Sequence, residues 1–398
     1  MTQLPRQPWM SSPVIAALGE ARFIGGCVRD TVLGLPVSDI DIATPLEPAE
    51  VMKRLEAAGI RAIPTGIAHG TVTALAGVAR FEITTLRRDV ACFGRHAEVA
   101  FTDDWQADAA RRDFTINALS CTPDGVVYDP FGGLEDLAAG HIRFIGSAEQ
   151  RIREDVLRLL RFFRFYGRYG KAPPDREALA ACRALAPLLP GLSGERVRAE
   201  LFRLLTGPRP DGMVRLMADT GVLPVLLPEA TRLDRLKAVV GMEARFGLAG
   251  EDRAVPRLAA LLDTDINGAL CVAGNLRLSR AERDRLAFIT DIRIEPDCGL
   301  AELCRFVVGL EDDQLFLDCV LLACGSDWWV AQAQALAARR AAAPFPLSGG
   351  DFVALGVPPG PRVGWWLGQL KEWWAGANLL PDRAACLAEA VRRLSGSR

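Results

Sequence analysis

The stretch FIGGCVRDTVLGLPVSDIDIAT, residues 23–44, places a glycine-rich turn shortly before two aspartates that are one residue apart. RFIGG predicts a short strand entering a tight turn, CVRDTVLG a helix, and SDIDIAT a second strand. Because side chains alternate faces along a strand, Asp39 and Asp41 project from one face while the isoleucines beside them point into the core. The stretch therefore predicts paired carboxylates close to a turn that a ligand can approach.

Composition limits the classes of protein that fit. The chain has 398 residues, which favours two to four packing units, and its formal net charge of -2 gives no overall attraction to nucleic acid. Any site for a polyanion must therefore come from local arginine clusters. Ten cysteines are scattered without a CxxC pair, and no uncharged apolar run reaches the roughly 18 residues of a membrane span. We expect a cytoplasmic protein with no membrane segment.

Two aspartates on one strand face have two interpretations. Adjacent carboxylates repel each other unless a cation neutralises them, and Mg²⁺ prefers oxygen ligands. An isolated DxD is more often a solvated edge strand. The upstream turn favours the metal, because Gly25 and Gly26 allow close approach of a phosphate and Arg29 lies one helical turn later. The alternatives are an ordinary strand-to-helix turn and a local ion pair between Arg29 and Asp30.

A third carboxylate, Glu82 in RFEITTL, lies on another predicted strand and is our candidate for completing a two-metal site. Its alternative is a half-buried glutamate paired with Arg80 or Arg87.

The segment RRDFTINAL combines a dense local charge with a polar group further along. Arg111, Arg112 and Asp113 can clamp phosphate and ribose oxygens, and Asn117 is expected on the same helix. A solvated, charged helix start is the alternative.

Strand patterns end near residue 145, and helical periodicity dominates afterwards. The apolar spacing from Ala148 to Tyr166 predicts one arginine-rich helix. Breaks at GKAPPDRE, TGPRPDG and AAAPFPLSGGD separate further helical blocks. The fold class is therefore α+β. We predict four parts, with boundaries at 1–145, 146–206, 207–343 and 344–398.

The motifs GGCVRD, DID, RRDFTINAL, YDPFGGLEDL, REDVLRLLRFFRF and SGERVRAEL occur in the order typical of one family. Over about the first 225 residues the chain resembles the bacterial class II CCA-adding tRNA nucleotidyltransferases and their poly(A) polymerase relatives. The resemblance implies a polymerase-β-like head with a two-metal site, followed by an all-α neck, body and tail that hold the acceptor end of tRNA.

The segment EDVLR offers a physical basis for choosing bases without a template. Asp155 and Arg158, three residues apart on the predicted helix, match the donor and acceptor edges of cytosine and adenine but not those of uracil or guanine. A surface salt bridge is the alternative. The resemblance assigns base recognition to this pair, nucleotide contacts to Arg161 and Arg164, and a buttressing role to Glu195 and Arg196.

We therefore expect addition or repair of the 3′-terminal CCA of tRNA from CTP and ATP. The resemblance implies Mg²⁺ on Asp39 and Asp41, in-line attack of the tRNA 3′-hydroxyl on the α-phosphate, and release of pyrophosphate. Poly(A) polymerase, CC-only and A-only activities remain open, as does a catalytically inactive RNA-binding relative. The tail segment VGWWLGQLKEWW is expected to pack in a core rather than to stack on bases.

Overall fold

The computed structural model divides the chain into two units, Met1–Leu226 and Leu227–Arg398. It describes residues 2–77, 79–93, 96–248, 250–292, 294, 299–310, 312–324 and 326–396.

The first unit contains all the strands of the described residues. They are β1 Arg22–Ile24, β2 Ile40–Thr44, β3 Arg61–Gly66, β4 Thr71–Ala76, β5 Ala79–Thr85, β6 Arg87–Phe93, β7 His96–Phe101, β8 Ser120–Cys121 and β9 Val127–Tyr128. Seven of them form a mixed sheet in the order β3-β4-β5-β2-β1-β8-β9, and β6 pairs with β7 in a separate hairpin. The sequence patterns predicted β1, β2, β4 and β5, but the hairpin falls in a segment that they indicated only as polar.

Helices of the first unit cover one face of the sheet and continue beyond it. They are α1 Pro13–Leu18, α2 Gly26–Val32, α3 Pro48–Ala57, α4 Trp105–Ala110, α5 Gly133–Ala139, α6 Ala148–Glu154, α7 Leu157–Tyr169, α8 Arg176–Leu185, α9 Gly194–Leu205, α10 Pro210–Asp219 and α11 Leu223–Leu226. On the sheet face that meets α2, Phe23 and Ile42 are directly paired and fully buried. On the opposite face, Trp105 of α4 packs against Ile24 and Ala43, and the rest of that face is open to polar side chains such as Asp41 and Glu82.

The predicted single helix over 148–166 is wrong, because the chain breaks at Asp155. This residue is extended, with φ -150° and ψ 105°, and separates α6 from α7. Its carboxylate accepts a hydrogen bond of 3.2 Å from the N–H of Leu157. Aspartate competes well for such local backbone donors, so Asp155 ends α6 and binds the first N–H of α7.

The second unit is helical throughout its described residues. Its helices are α12 Leu233–Arg245, α13 Ala254–Leu261, α14 Ile266–Asn275, α15 Arg280–Asp291, α16 Leu300–Gly309, α17 Asp313–Cys324, α18 Asp327–Ala342, α19 Gly349–Ala354, α20 Pro361–Gly376 and α21 Arg383–Ser395. Trp374 and Leu370 of α20 are buried in its core, and Trp366 packs partly against it. The core assignment of the tryptophan-rich segment is confirmed.

A buried ion network joins helices of this second unit. Arg253 donates to Glu243 at 2.9 Å and to Asp318 at 2.7 Å, and all three side chains are at most 1% exposed. Arg257 donates to the other oxygen of Glu243 at 2.6 Å. Removing one member of such a network leaves an unpaired buried charge, so the network holds these helices in register. None of the helices in the described residues combines the length and apolar character that a membrane span requires.

Candidate active site

The glycine turn lies between β1 and α2. Gly25 has φ +65°, a conformation that L side chains rarely adopt, and a Cβ there would lie 3.1 Å from Nη1 of Arg112. Its N–H donates to the carbonyl of Leu119 at 2.9 Å. The turn therefore keeps the backbone close to an arginine that belongs to a later segment.

The carboxylates of neighbouring parallel strands are side by side. In the register of β2 and β5, Asp41 is directly opposite Glu82, and both lie on the open face of the sheet. Asp39 precedes β2, is exposed, and accepts a hydrogen bond from Ser38 at 3.1 Å. Burial, followed by repulsion from Glu82, raises the pKa of Asp41 to about 6, against the opposing effect of Arg112. Glu82 therefore adds repulsion to the desolvation of the Asp41 carboxylate, and Arg112 offsets only part of the two effects.

Arg29 is buried and held on all sides. Its Nε donates to Asp30 at 2.9 Å and its Nη1 to Oδ1 of Asn117 at 2.5 Å. The guanidinium lies 4.4 Å from the ring centroid of Tyr169, whose hydroxyl donates to the same oxygen of Asp30 at 2.9 Å. The ion pair of Arg29 with Asp30, which the sequence analysis gave as the alternative to phosphate binding, is thus present, and it is part of a larger cluster that fixes the arginine.

The segment RRDFTINAL is not one helix. Arg111 ends α4, and a short 3-10 turn over Thr115–Asn117 follows an extended Phe114. Phe114 is completely buried. Because the chain is extended where this ring enters the core, the helix does not continue past it. The expectation that Asn117 shares a helix with the charged residues is therefore wrong, although the turn still brings its side chain to the same site.

Two buried aspartates, Asp108 and Asp113, form ion pairs with arginines of this segment and of α7. Asp108 pairs with Arg111 at 2.7 Å and with Arg112 at 3.3 Å. Asp113 accepts 2.6 Å hydrogen bonds from Arg161 and one of 2.9 Å from Nδ2 of Asn117. Burial alone would raise the pKa of each aspartate, but the guanidinium groups and hydrogen bonds outweigh it and lower both pKa values.

The residues expected to read the base have separate protein partners. The carboxylate of Asp155 accepts a 2.7 Å hydrogen bond from Arg196 of α9. Arg158 donates to Glu154 at 2.6 Å and to the carbonyl of Arg151 at 2.9 Å. Asp155 lies in the break between two helices, so the expected arrangement of the pair on one helix is wrong. Its contact with Arg196 agrees with the buttressing role that the resemblance implied.

Glu200 holds the next two arginines of α7. It accepts a 2.5 Å hydrogen bond from Arg164, and Arg161 lies 3.6 Å away. Glu200 is 4% exposed, so this carboxylate is an interior anchor. The guanidinium of Arg164 stacks 4.2 Å from the ring of Phe165.

These elements enclose a cavity of 520 Å³. Its walls contain the following predicted residues: Gly25, Gly26, Arg29, Asp41, Glu82, Arg111, Arg112, Asp113, Asn117, Asp155, Arg158 and Arg161. Of the predicted site residues, Asp39 and Arg164 do not line it. The cavity thus collects carboxylates at one point and guanidinium groups around the remainder, an arrangement suited to a nucleotide.

Comparison with known proteins accounts for this arrangement. Residues 21–143 match the family model described as the poly A polymerase head domain, and residues 174–233 match a probable RNA and SrmB-binding site of polymerase A. The mouse mitochondrial CCA tRNA nucleotidyltransferase 1 is 37% identical, with 89% of this chain and 82% of the relative covered. The chain belongs to the CCA-adding tRNA nucleotidyltransferase family. The family resemblance predicted from the motifs is confirmed.

Other family members match over the whole length. The CCA-adding enzyme of Levilactobacillus brevis is 31% identical over 98% of this chain and 99% of its own. The crystal structure of the Bacillus stearothermophilus CCA-adding enzyme in complex with CTP superposes with a TM-score of 0.76 at 27% identity, covering 99% of both chains. The α+β class with a nucleotidyltransferase head and a helical remainder, predicted from the sequence, is confirmed.

The cavity also contains residues that the sequence analysis did not assign to nucleotide binding. They are Ile24, Ala43, Thr84, Arg87, Asp108, Leu157, Phe165 and Arg196. A signal was present for Asp108, which precedes Arg111 and Arg112 by three and four residues, the spacing at which helical charges pair. Nothing in the sequence indicated that Phe165 lines the cavity, because an aromatic residue on the inner face of a helix is normally interpreted as a core residue.

Proposed function

We propose that this chain adds or repairs the 3′-terminal CCA of tRNA, using CTP and ATP and releasing pyrophosphate. The observation that carries the proposal is the cavity, in which Asp41 and Glu82 face a group of arginines. Membership of the CCA-adding family, with a solved relative in complex with CTP, supports the choice of substrates. In the reaction the RNA 3′-hydroxyl forms a bond to the α-phosphorus, and the bond to the β-phosphate oxygen breaks.

The carboxylates at the start of β2 and on β5 fit Mg²⁺. Asp39, Asp41 and Glu82 offer only hard oxygen ligands, and the pKa of Asp41 is raised first by burial and then by repulsion from Glu82, which a cation would relieve. Within the described residues no group of three or more such side chains converges on one point, so the fit rests on this chemistry. We assign Mg²⁺ to Asp39 and Asp41, with Glu82 completing the site. Bound Mg²⁺ would neutralise part of the negative charge of the phosphates.

The arginines of the cavity hold the nucleotide. Arg29 is fixed by Asp30 and Asn117, so its charge is in place before a ligand arrives. Arg111 and Arg112 are fixed in the same way by Asp108. We assign to these three arginines, together with the Gly25 turn, the binding of the triphosphate and ribose.

Base choice is assigned to Asp155 and Arg158, which both line the cavity. A carboxylate accepts from the amino group of cytosine or adenine while a guanidinium donates to the neighbouring ring nitrogen. Because Asp155 binds Arg196 and Arg158 binds Glu154 in this conformation, each side chain has to share or exchange a partner when the base enters. Uracil and guanine would present a carbonyl to the carboxylate, leaving charged groups unpaired.

Two further assignments remain proposals. The division into head 1–145, neck 146–206, body 207–343 and tail 344–398 is supported by the last described strand, Val127–Tyr128, and by the helices that follow it. A cytoplasmic location is supported by the cysteines of the described residues that are free thiols.

The test is incorporation of labelled CTP and ATP into a tRNA that lacks its three terminal nucleotides. We expect exactly three added residues, C, C and A, and loss of transfer without loss of tRNA binding in Asp41→Asn. Homopolymeric A tails would assign a poly(A) polymerase, the activity in the description of the matched head model. Addition of two C or one A only would assign a partial activity. Binding without any transfer would assign an inactive RNA-binding relative.

A further inference from the structure

A second cavity, of 330 Å³, adjoins the active-site cavity in the N-terminal unit. The two cavities share Ile24, Asp108 and Arg112 in their walls. The second one lies on the same open face of the sheet but further along it, since Ser120 of β8 is paired with Ile24 on one side and with Tyr128 of β9 on the other. Nothing in the reaction described above uses it.

An arginine clamped between two aromatic rings forms one wall of this cavity. The Cζ atom of Arg22 lies 4.1 Å from the ring centroid of Trp105 and 3.9 Å from that of Tyr128. Trp105 is itself held by a 3.4 Å hydrogen bond from its Nε1 to Glu20. The contacts with the two rings restrict the orientation of the Arg22 guanidinium and leave its N–H groups available to a ligand.

Polar groups around this cavity lack protein partners. Within the residues that the structure describes, no hydrogen bond or ion pair engages the guanidinium of Arg22 or the hydroxyl of Ser120. Ser120 is 9% exposed. Burial lowers the pKa of Arg22, opposed by Tyr128 and Glu20, so the charge is partly desolvated. Ser120 is buried and Arg22 is partly buried, so two donors without a protein partner in the described residues face the same cavity, which points to a ligand.

The carboxylates in the walls do not supply the missing partner. Asp108 is engaged by Arg111 and Arg112. Asp129 accepts backbone hydrogen bonds of 2.7 Å and 2.9 Å, from the N–H of Gly133 and of the residue after it. Glu20, which lies outside the walls, accepts the Trp105 hydrogen bond and acts on Arg22 without an ion pair in the described residues, so the guanidinium N–H groups stay available to an external anion.

We propose that this cavity binds a phosphate group, with Arg22 as a forked donor and Ser120 as a second donor. A planar, rigid guanidinium suits two oxygens of one phosphate. Two sources share this chemistry, a backbone phosphodiester of the RNA substrate and the pyrophosphate released by the reaction. The choice of these two ligands rests on the proposed function, whereas the test below measures binding without turnover.

The test is calorimetric titration of the full-length protein with inorganic pyrophosphate and, separately, with an acceptor-stem RNA lacking its three terminal nucleotides. Arg22→Gln should weaken binding of one of them about tenfold or more, since a charge-assisted bond is lost. For the RNA, the slope of log Kd against log salt should also fall by about 0.7 to 0.9, one phosphate contact. Arg61→Gln, at the exposed far edge of the same sheet, is the matched control and should change neither.

The variants separate the outcomes. Loss confined to the RNA assigns the subsite to the RNA backbone, and loss confined to pyrophosphate assigns it to the leaving group. Arg22→Lys, which keeps the charge but loses the fork, should fall between wild type and Arg22→Gln. Ser120→Ala leaves the aromatic clamp intact and should weaken the same ligand about threefold, which keeps the test valid if Arg22→Gln unfolds. Both ligands binding within twofold of wild type in Arg22→Gln and Ser120→Ala would overturn the proposal, whether or not the wild type incorporates CCA.

Discussion

Replacing Asp113 by asparagine should destabilise the N-terminal unit and weaken nucleotide binding together. Asp113 is buried and joins two parts of the site, since it accepts hydrogen bonds from Arg161 of α7 and from Asn117, which in turn holds Arg29. Asparagine has the same size, so no cavity forms. The change removes the charge and converts one acceptor into a donor.

The magnitude follows from these contacts. Losing the charge-assisted bond from Arg161 costs about 1.5–3 kcal/mol, and an amide donor facing another buried donor costs about 1–3 kcal/mol more. Arg161 is 29% exposed and retains Glu200 at 3.6 Å, which favours the lower part of the summed range, about 3 kcal/mol. In a unit of this size about 1 kcal/mol corresponds to about 2–4 °C. The Tm of the unit should therefore fall by about 6–12 °C.

Calorimetric unfolding of wild type and Asp113→Asn measures this change, and the KM for CTP measured at 20 °C reports the site. The control is Glu149→Gln, which breaks a surface pair with Arg153 in which both side chains are 58% exposed, and should shift Tm by no more than about 1–2 °C. A Tm for Asp113→Asn within 1 °C of wild type would refute the assignment of Asp113 as the charge that anchors Arg161.

Three other outcomes are expected. Because the pKa of Asp113 is lowered in the folded state, its stabilisation is complete above the ordinary value of 3.8 and is lost as the pH falls. Urea unfolding of wild type and Asp113→Asn should thus differ by a constant amount from pH 8 to 5 and converge below about pH 4; a gap that widens in acid would contradict this. Tyr169→Phe removes the hydroxyl bond to Asp30 but keeps the ring, so the KM for CTP should rise about fivefold with little change in kcat. The control Tyr166→Phe, which loses only a bond to a backbone carbonyl, should leave KM unchanged, and equal effects of the two variants would argue against positioning of Arg29. Asp155→Ala should relax the choice of base, and undiminished discrimination against UTP and GTP in single-nucleotide incorporation would reject the pairing hypothesis.

Local patterns placed Asp41 and Glu82 each on a strand that lines the cavity, but they also placed Asp39 on β2, which begins one residue later. Alternation along a strand places Ile40 and Ile42 in the core, and Gly25 directly after β1 favours a turn, whatever surrounds these residues. Asp41 and Glu82 could each be assigned to one strand face. That they face each other across a parallel pair depends on strand order, which connects residues 41 positions apart.

The nucleobase end of the site could be predicted only in its residue types. Helical spacing placed Asp155 and Arg158 on one helix, and nothing in the segment itself reports that α9 brings Arg196 to the carboxylate. Likewise, Phe114 interrupts a helix because a core made by distant segments receives its ring. Burial and long-range ion pairs outweigh local propensity at both positions.

The amino-acid sequence by itself determined the α+β class, the strands that carry carboxylates, the arginine-rich segments and, through its motifs, the family. These features depend on periodicity and residue type, which are local properties of the chain. Only the tertiary structure decided which carboxylate neutralises each arginine and which arginine is left without one. From the sequence alone, Arg22 is one residue of a short strand. In the structure, α4 and β9 bring Trp105 and Tyr128 into contact with its guanidinium. A charged side chain can bind a ligand when the surrounding protein does not supply its partner.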